Sequence, residues 1–202
     1  MGNKNFKLFC FSRLFPGRYS VRTDKLVIED KIEWYVSSPI TKFIFHLADG
    51  LLTKKTVTIG QGTFYVHSAE MTQPPEFTND MLFRSLSPIT THTAQVVEGQ
   101  RKTISCAVSE PKFIENIKNN LLRKYFLVHG SLPDNLSLHM QIDKRYLQDR
   151  GKLILYKNTR IKGYQVPFRL KGDREIMKIA YDCGVGEKNS AGMGCVEIIG
   201  GS

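Results

Sequence analysis

The chain has 202 residues, 41% of them hydrophobic, enough for one large or two small domains with real cores. Its formal charge of +10 points to an anionic partner, either nucleic acid or a membrane surface. The cysteines Cys10, Cys106, Cys183 and Cys195 form no C-x-x-C pair, which excludes a zinc knuckle and a dithiol redox motif; buried free thiols in a reducing compartment are expected. No apolar run approaches the roughly 20 residues of a membrane span. The start, MGNKNFKLFCF, carries neither a secretion signal nor a good myristoylation signal, so a cytoplasmic protein is expected.

In chain order, NFKLFCFSRLF (5–15) is apolar on both faces and predicts a buried strand. Residues 16–30 are polar and predict a loop or short hairpin. KIEWYV alternates, with Ile32, Trp34 and Val36 on one face. Ser37-Ser38-Pro39 is a helix start, followed at helical spacing by Ile40, Phe43, Ile44, Leu47 and Leu51, with Asp49-Gly50 near the end. TVTIG and GTFYVH predict a further strand segment. TQPPEFTND (72–80) predicts a linker. MLFRSLSPITTHTAQ then predicts one strand bent at its proline.

SEPKFIENIKNNLLRKYFLVHG predicts the strongest helix, opened at Ser109 or Glu110 and ended by Gly130, with Phe113, Ile114, Ile117, Leu121 and Tyr125 as its apolar stripe. LSLHMQI and KLILYK predict strands, and YQVPFRL extends the second past a turn at 158–163. DREIMKIAYDC predicts a helix capped by Asp173, and CVEII the last strand. The second half thus reads β-α-β-β-α-β, the split βαβ unit of ferredoxin-like folds. The first half reads as the same unit without its opening strand and helix. The expected class is α+β with tandem ferredoxin-like domains, over residues 1–74 and 80–202.

Between 141 and 172 stand nine cations, Lys144, Arg145, Arg150, Lys152, Lys157, Arg160, Lys162, Arg169 and Lys171, against Asp143 and Asp149. The cluster covers the central β-β pair of the second unit and its turn. Tyr146, Tyr156, Tyr164 and Phe168 are interleaved. A basic ribbon with aromatics suits phosphates and stacked bases; the alternative is a solvated, lysine-rich hairpin that protects a sheet edge.

The stretch GVGEKNSAGMG, Gly184 to Gly194, sits between the last helix and the last strand. Its third glycine comes too late for a dinucleotide fingerprint, and no helix follows to receive a pyrophosphate. Lys188 follows Glu187 rather than a glycine, so it is no P-loop. A nucleotide-dependent enzyme is therefore disfavoured.

These features together resemble the CRISPR-associated repeat-RNA endoribonucleases, the pre-crRNA processing enzymes of the RAMP superfamily. The resemblance rests on the tandem units, on Leu-Ser-Pro-Ile (Leu86 to Ile89) opening the second, and on the glycine-rich loop with Glu-Lys-Asn-Ser at its centre. It spans essentially the whole chain.

It implies metal-independent cleavage without a cofactor: the ribose 2′-hydroxyl attacks the adjacent phosphate, leaving a 2′,3′-cyclic phosphate and a 5′-hydroxyl. It implies CRISPR repeat RNA or crRNA as partner, alongside effector-complex subunits, in a monomer or homodimer with no membrane. The family's general-base histidine falls at or before Met1 here, and Lys7 matches its assisting lysine. The expected catalytic residue is thus Lys7. The expected RNA-binding residues are Arg145, Lys152, Lys157, Arg160, Lys162, Gly184, Gly186, Lys188, Asn189, Ser190, Gly192 and Gly194. Two roles remain open for the loop: Lys188, Asn189 and Ser190 offering donors to phosphate, or the loop packing on the first unit and shaping a cleft. Among the histidines, His46, His67, His129 and His139 read as structural, and His92 as the best candidate for an RNA contact. The other readings are a non-catalytic subunit that holds crRNA, an inactive truncated nuclease, and a structural or protein-binding RAMP-like module whose binding would be insensitive to salt.

Overall fold

A computed structural model describes residues 7–199. The first half opens as one long antiparallel ribbon. It consists of β1 (Cys10–Phe11), β2 (Phe15–Pro16) and β3 (Tyr19–Arg22), which turn back as β4 (Lys25–Ile28), β5 (Ile32–Glu33) and β6 (Val36–Ser37). The pairs run Cys10↔Ser37, Phe15↔Glu33 and Arg22↔Lys25. Helix α1 (Thr41–Lys54) follows, then the hairpin of β7 (Thr56–Ile59) and β8 (Gly62–Tyr65).

The buried strand expected over 5–15 is only partly formed. Asn5 and Phe6 lie outside the described residues; Cys10 and Ser12 are buried, but the strand breaks after Phe11 and resumes at Phe15. Its aromatics are only partly covered: Phe43 of α1 stacks on Phe9 at 4.9 Å, and Trp34 meets Phe11 edge-on at 5.6 Å while staying 41% exposed. Ser38 accepts the Ile40 N–H (3.1 Å) just before α1. The helix passes through Gly50, because Leu51 continues its half-buried stripe, and stops where Lys55 turns left-handed at φ 60°.

The second half is a four-stranded antiparallel sheet with two helices on one face. Its strands are β9 (Asp80–Ser85), β12 (His139–Ile142), β15 (Phe168–Lys171) and β16 (Val196–Ile198), in the order β12-β15-β9-β16. First and third sheet strands are central, as a ferredoxin-like unit requires. Helices α2 (Pro111–His129) and α3 (Arg174–Cys183) bury Phe113, Ile117, Leu121, Ile176, Met177 and Ala180 against Met81, Phe83, Met140, Phe168 and Leu170. Burial of this apolar surface is the main favourable term. The caps are those the sequence predicts: Asp173 accepts the Glu175 N–H (2.8 Å), and Gly130 ends α2 at φ 75°. The linker has no regular structure up to Asn79, and Asp80 already begins β9; within it Phe77 packs edge-on against Tyr181.

Two hairpins are inserted into this unit, and both differ from expectation. The strand expected through Ser87-Pro88 ends at Ser85, and β10 (His92–Val97) then pairs with β11 (Gln100–Ser105). Pro88 supplies no ladder donor, so the chain bends there. Residues 159–163, expected as a turn, form β14 (Thr159–Gly163) against β13 (Lys152–Tyr156). The basic segment is therefore not the sheet's central pair; it is a separate ribbon placed between β12 and β15.

Candidate nucleic-acid interface

The glycine-rich loop leaves the end of α3 and folds around a buried ammonium. Lys124 of α2, 4% exposed, donates to the carbonyls of Gly184 (2.7 Å) and Gly186 (3.2 Å) and to Asn189 Oδ1 (2.7 Å). Asn189 passes the bonding on, its amide donating to Val185 O (3.3 Å) and Met193 O (3.0 Å). Burial holds the Lys124 pKa down at about 8, against the opposing influence of Cys183, Cys10 and Glu187. A buried charge survives only where hydrogen bonds replace water, and these three acceptors do so.

The glycines are demanded by packing. At Gly194 (φ 67°) a Cβ would overlap the Val185 carbonyl, and at Gly192 (φ 83°) it would lie 2.7 Å from the Phe11 ring. Both positive φ values disfavour side chains in any case. The loop thus rests on β1 of the first half, where the Cys10 thiol also points at the Asp182 carbonyl (3.8 Å). Lys7 is exposed, three residues before Cys10.

Residues 86–90 join the parts. Leu86 N–H donates to Cys195 O, Gly194 N–H to Pro88 O, and Arg13 N–H to Leu86 O. The Ser87 hydroxyl donates to Phe11 O and accepts the Cys195 N–H. Thr90 reaches both candidate regions: its carbonyl accepts the Glu187 N–H (2.9 Å) and its hydroxyl donates to Lys162 O (2.8 Å). One residue therefore couples the glycine loop to the basic ribbon.

On that ribbon, Lys152, Lys157 and Arg160 are exposed and Lys162 is half-buried, its ammonium 5.7 Å from the Tyr164 ring centre. Lys157 turns the hairpin at φ 53°. The remaining cations differ. Arg145 lies off the ribbon, clamped to Asp143 at 2.6 Å, which holds the Asp143 carboxyl at about 2. Arg169 and Lys171 share Asp80.

The structure brings Gly184, Gly186, Gly192, Gly194 and Asn189 together, and leaves Lys188 exposed with Ser190 half-buried beside it. Asn189 spends its side-chain donors inside the loop, so of the three polar residues expected at the tip it is turned inward.

Sequence reasoning missed two residues. Lys124 is buried on the stripe after Leu121, next to the expected Tyr125, which packs partly buried against the core; a cation in an apolar register was the available signal. Glu187 was read only as part of the loop, but its carboxylate meets His92 Nδ1 at 2.8 Å. Burial alone would raise the Glu187 pKa; hydrogen bonds and charge from His92, with Lys188, bring it below the ordinary range. His92 is accordingly held, and Asn116 anchors its carbonyl (3.0 Å). His46, His67, His129 and His139 are exposed; His129 stacks on Tyr125, and His139 lies 3.1 Å from Ser137. Among the described residues no helix is long and apolar enough to cross a membrane.

Two family profiles match along the chain. Residues 2–70 match the family profile described as CRISPR-associated protein Cas6, N-terminal, and residues 72–198 that of CRISPR associated protein Cas6, C-terminal. The chain belongs to the Cas6 family. It is similar to CRISPR-associated endoribonuclease Cas6 1 of Methanocaldococcus jannaschii, 32% identical over 195 residues, covering 96% of this chain and 74% of the relative. It is also similar to CRISPR-associated endoribonuclease Cas6 of Pyrococcus furiosus, 29% identical over 171 residues, covering 83% and 60% respectively.

A solved Cas6-related protein from Pyrococcus furiosus superposes with a TM-score of 0.86 at 27% identity, over 95% of this chain and 78% of that one. Another, described as CRISPR associated protein Cas6, gives 0.84 at 30% identity, over 98% and 81%. The Cas6 resemblance carried by Leu86 to Ile89 and by the glycine loop therefore holds. So does the tandem ferredoxin-like architecture of Cas6 and RAMP proteins.

Proposed function

We propose that this chain binds CRISPR repeat RNA and processes it as an endoribonuclease, by the route its family resemblance implies. The 2′-oxygen forms a bond to phosphorus as the bond to the 5′-oxygen breaks. The 2′-hydroxyl proton goes to a base, and the leaving oxygen takes one from an acid. Negative charge grows on the phosphorane, so a nearby cation lowers the barrier. Lys7 is the candidate for that cation, since it lies just ahead of the strand against which the glycine loop packs. Arg145, Lys152, Lys157, Arg160, Lys162 and Lys188 are the candidate phosphate contacts, and the glycines set the loop's course past β1.

The observation that carries the reading is Thr90. It hydrogen-bonds to both the glycine loop and the basic ribbon, so that positive charge available to phosphate stands beside that loop, which supports the reading.

Incubation of labelled repeat RNA with the protein in excess EDTA tests it. A single cut ending in a 2′,3′-cyclic phosphate is expected, with Lys7→Ala slowing the cut while sparing affinity. Tight binding without a cut would instead favour a crRNA-holding subunit, and no binding would refute both.

A further inference from the structure

The basic ribbon carries something that phosphate binding does not require. Cross-strand register places Leu153 opposite Lys162 and Leu155 opposite Arg160, so these four side chains share one face. The other face holds Ile154 opposite Ile161, and Ile161 is fully buried. The ribbon therefore packs on the body by its isoleucine side and turns its leucine side outward. Leu153 is 65% exposed and Leu155 72% exposed. Isolated exposed leucines are ordinary; two in register, each facing a cation across the ladder, form a composite surface.

Its charge narrows the occupant. From Arg150 to Gly172 the chain holds seven cations and no Asp or Glu. Arg169 and Lys171 are paired with Asp80, but an apolar protein segment docking on the leucine face would still meet the positive charge of Arg160 and Lys162 beside it. The fitting partner offers negative charge and apolar faces together, at alternating positions, as a nucleic-acid strand does.

A duplex hides its base faces within the stack and presents phosphates, whereas an unpaired strand exposes them. Resting on the RNA-binding reading above, we infer that Leu153 and Leu155 contact the faces of unpaired bases while Arg160 and Lys162 hold the flanking phosphates. The ribbon thereby selects repeat RNA with unstacked bases over duplex.

The test uses the full chain, with Leu153→Ser/Leu155→Ser as the variant and Leu153→Met/Leu155→Met as the conservative control. Both sites are exposed, so both proteins keep the wild-type melting temperature. Affinity is measured for repeat RNA, for the same RNA annealed to its complement, and for vesicles rich in anionic lipid, over a salt series.

The wild type binds the single strand more tightly than the duplex. The serine variant loses about tenfold on the single strand and little on the duplex, with an unchanged slope of log K against log salt, because every cation remains. The methionine variant restores binding. Equal affinity of wild type and serine variant for the single strand overturns the inference, as does an equal loss on both RNAs. A serine variant that loses only vesicle binding assigns the leucines to a lipid surface and likewise overturns it. A wild type that binds neither RNA overturns the RNA reading itself, a result distinct from failure of the leucine contact.

Discussion

Replacing Lys124 by methionine keeps an unbranched side chain, one heavy atom shorter, and removes its three donors. Gly184 O, Gly186 O and Asn189 Oδ1 then lose their partner inside the loop. Each buried acceptor left without a donor costs about 1–3 kcal/mol. Against this stands relief of the ammonium's own desolvation, the cause of its depressed pKa. The difference is a net loss of roughly 2–4 kcal/mol, a large share of the ~5–15 kcal/mol that holds a typical domain folded.

At about 2–4 °C per kcal/mol, the melting temperature falls by roughly 5–15 °C. Thermal and urea unfolding followed by circular dichroism read the global change. Hydrogen exchange at the Val185 and Gly194 amides, whose acceptors are Gly194 O and Pro88 O, reads the loop. Lys112→Met is the control: that lysine is exposed on the same helix and paired with Glu115, so its loss stays within about 0.5 kcal/mol. A Lys124→Met protein as stable as this control, with unchanged protection at both amides, would refute the view that the ammonium organises the loop.

Three further outcomes follow from the same geometry. Between pH 8 and 10.5 the unfolded chain holds more protons on Lys124 than the folded one, so this group makes stability rise with pH. Cys183, pushed up to about 11 from an ordinary 9.0, acts in the opposite sense above pH 9. The lysine's effect is thus read between pH 8 and 9, where wild-type unfolding free energy climbs and that of Lys124→Met stays flat. Gly192→Val forces a β-branched side chain into a φ of 83° against the Phe11 ring; melting and RNA affinity both drop, and wild-type values for both would remove the loop from the junction. Alanine at Lys152, Lys157, Arg160 and Lys162 together weakens RNA binding and flattens its salt dependence, by up to about one unit of slope for each phosphate left without its cation; an unaltered slope would place the RNA elsewhere.

The sequence by itself determined the elements whose signals are local. Helix α2 follows from Pro111 and Gly130 at its ends and apolar residues at helical spacing, and α3 from the Asp173 cap. Alternation in LSLHMQI marked β12, and the basic density marked the ribbon, because charge is additive and needs no tertiary partner to be counted. The glycine pattern and Leu-Ser-Pro-Ile were also legible, as a family resemblance.

Only the tertiary structure decided where these parts stand. The basic strands belong to an inserted ribbon, since sheet membership depends on long-range pairing that alternation does not encode. Which side of the ribbon faces water was decided by Ile161 finding the core. The loop's polar residues divided between inside and outside according to a lysine some 60 residues earlier: Asn189 turned inward to satisfy it, and Lys188 stayed in solvent. No local pattern announces that exchange, because the desolvation it offsets arises only when α2 packs beneath the loop.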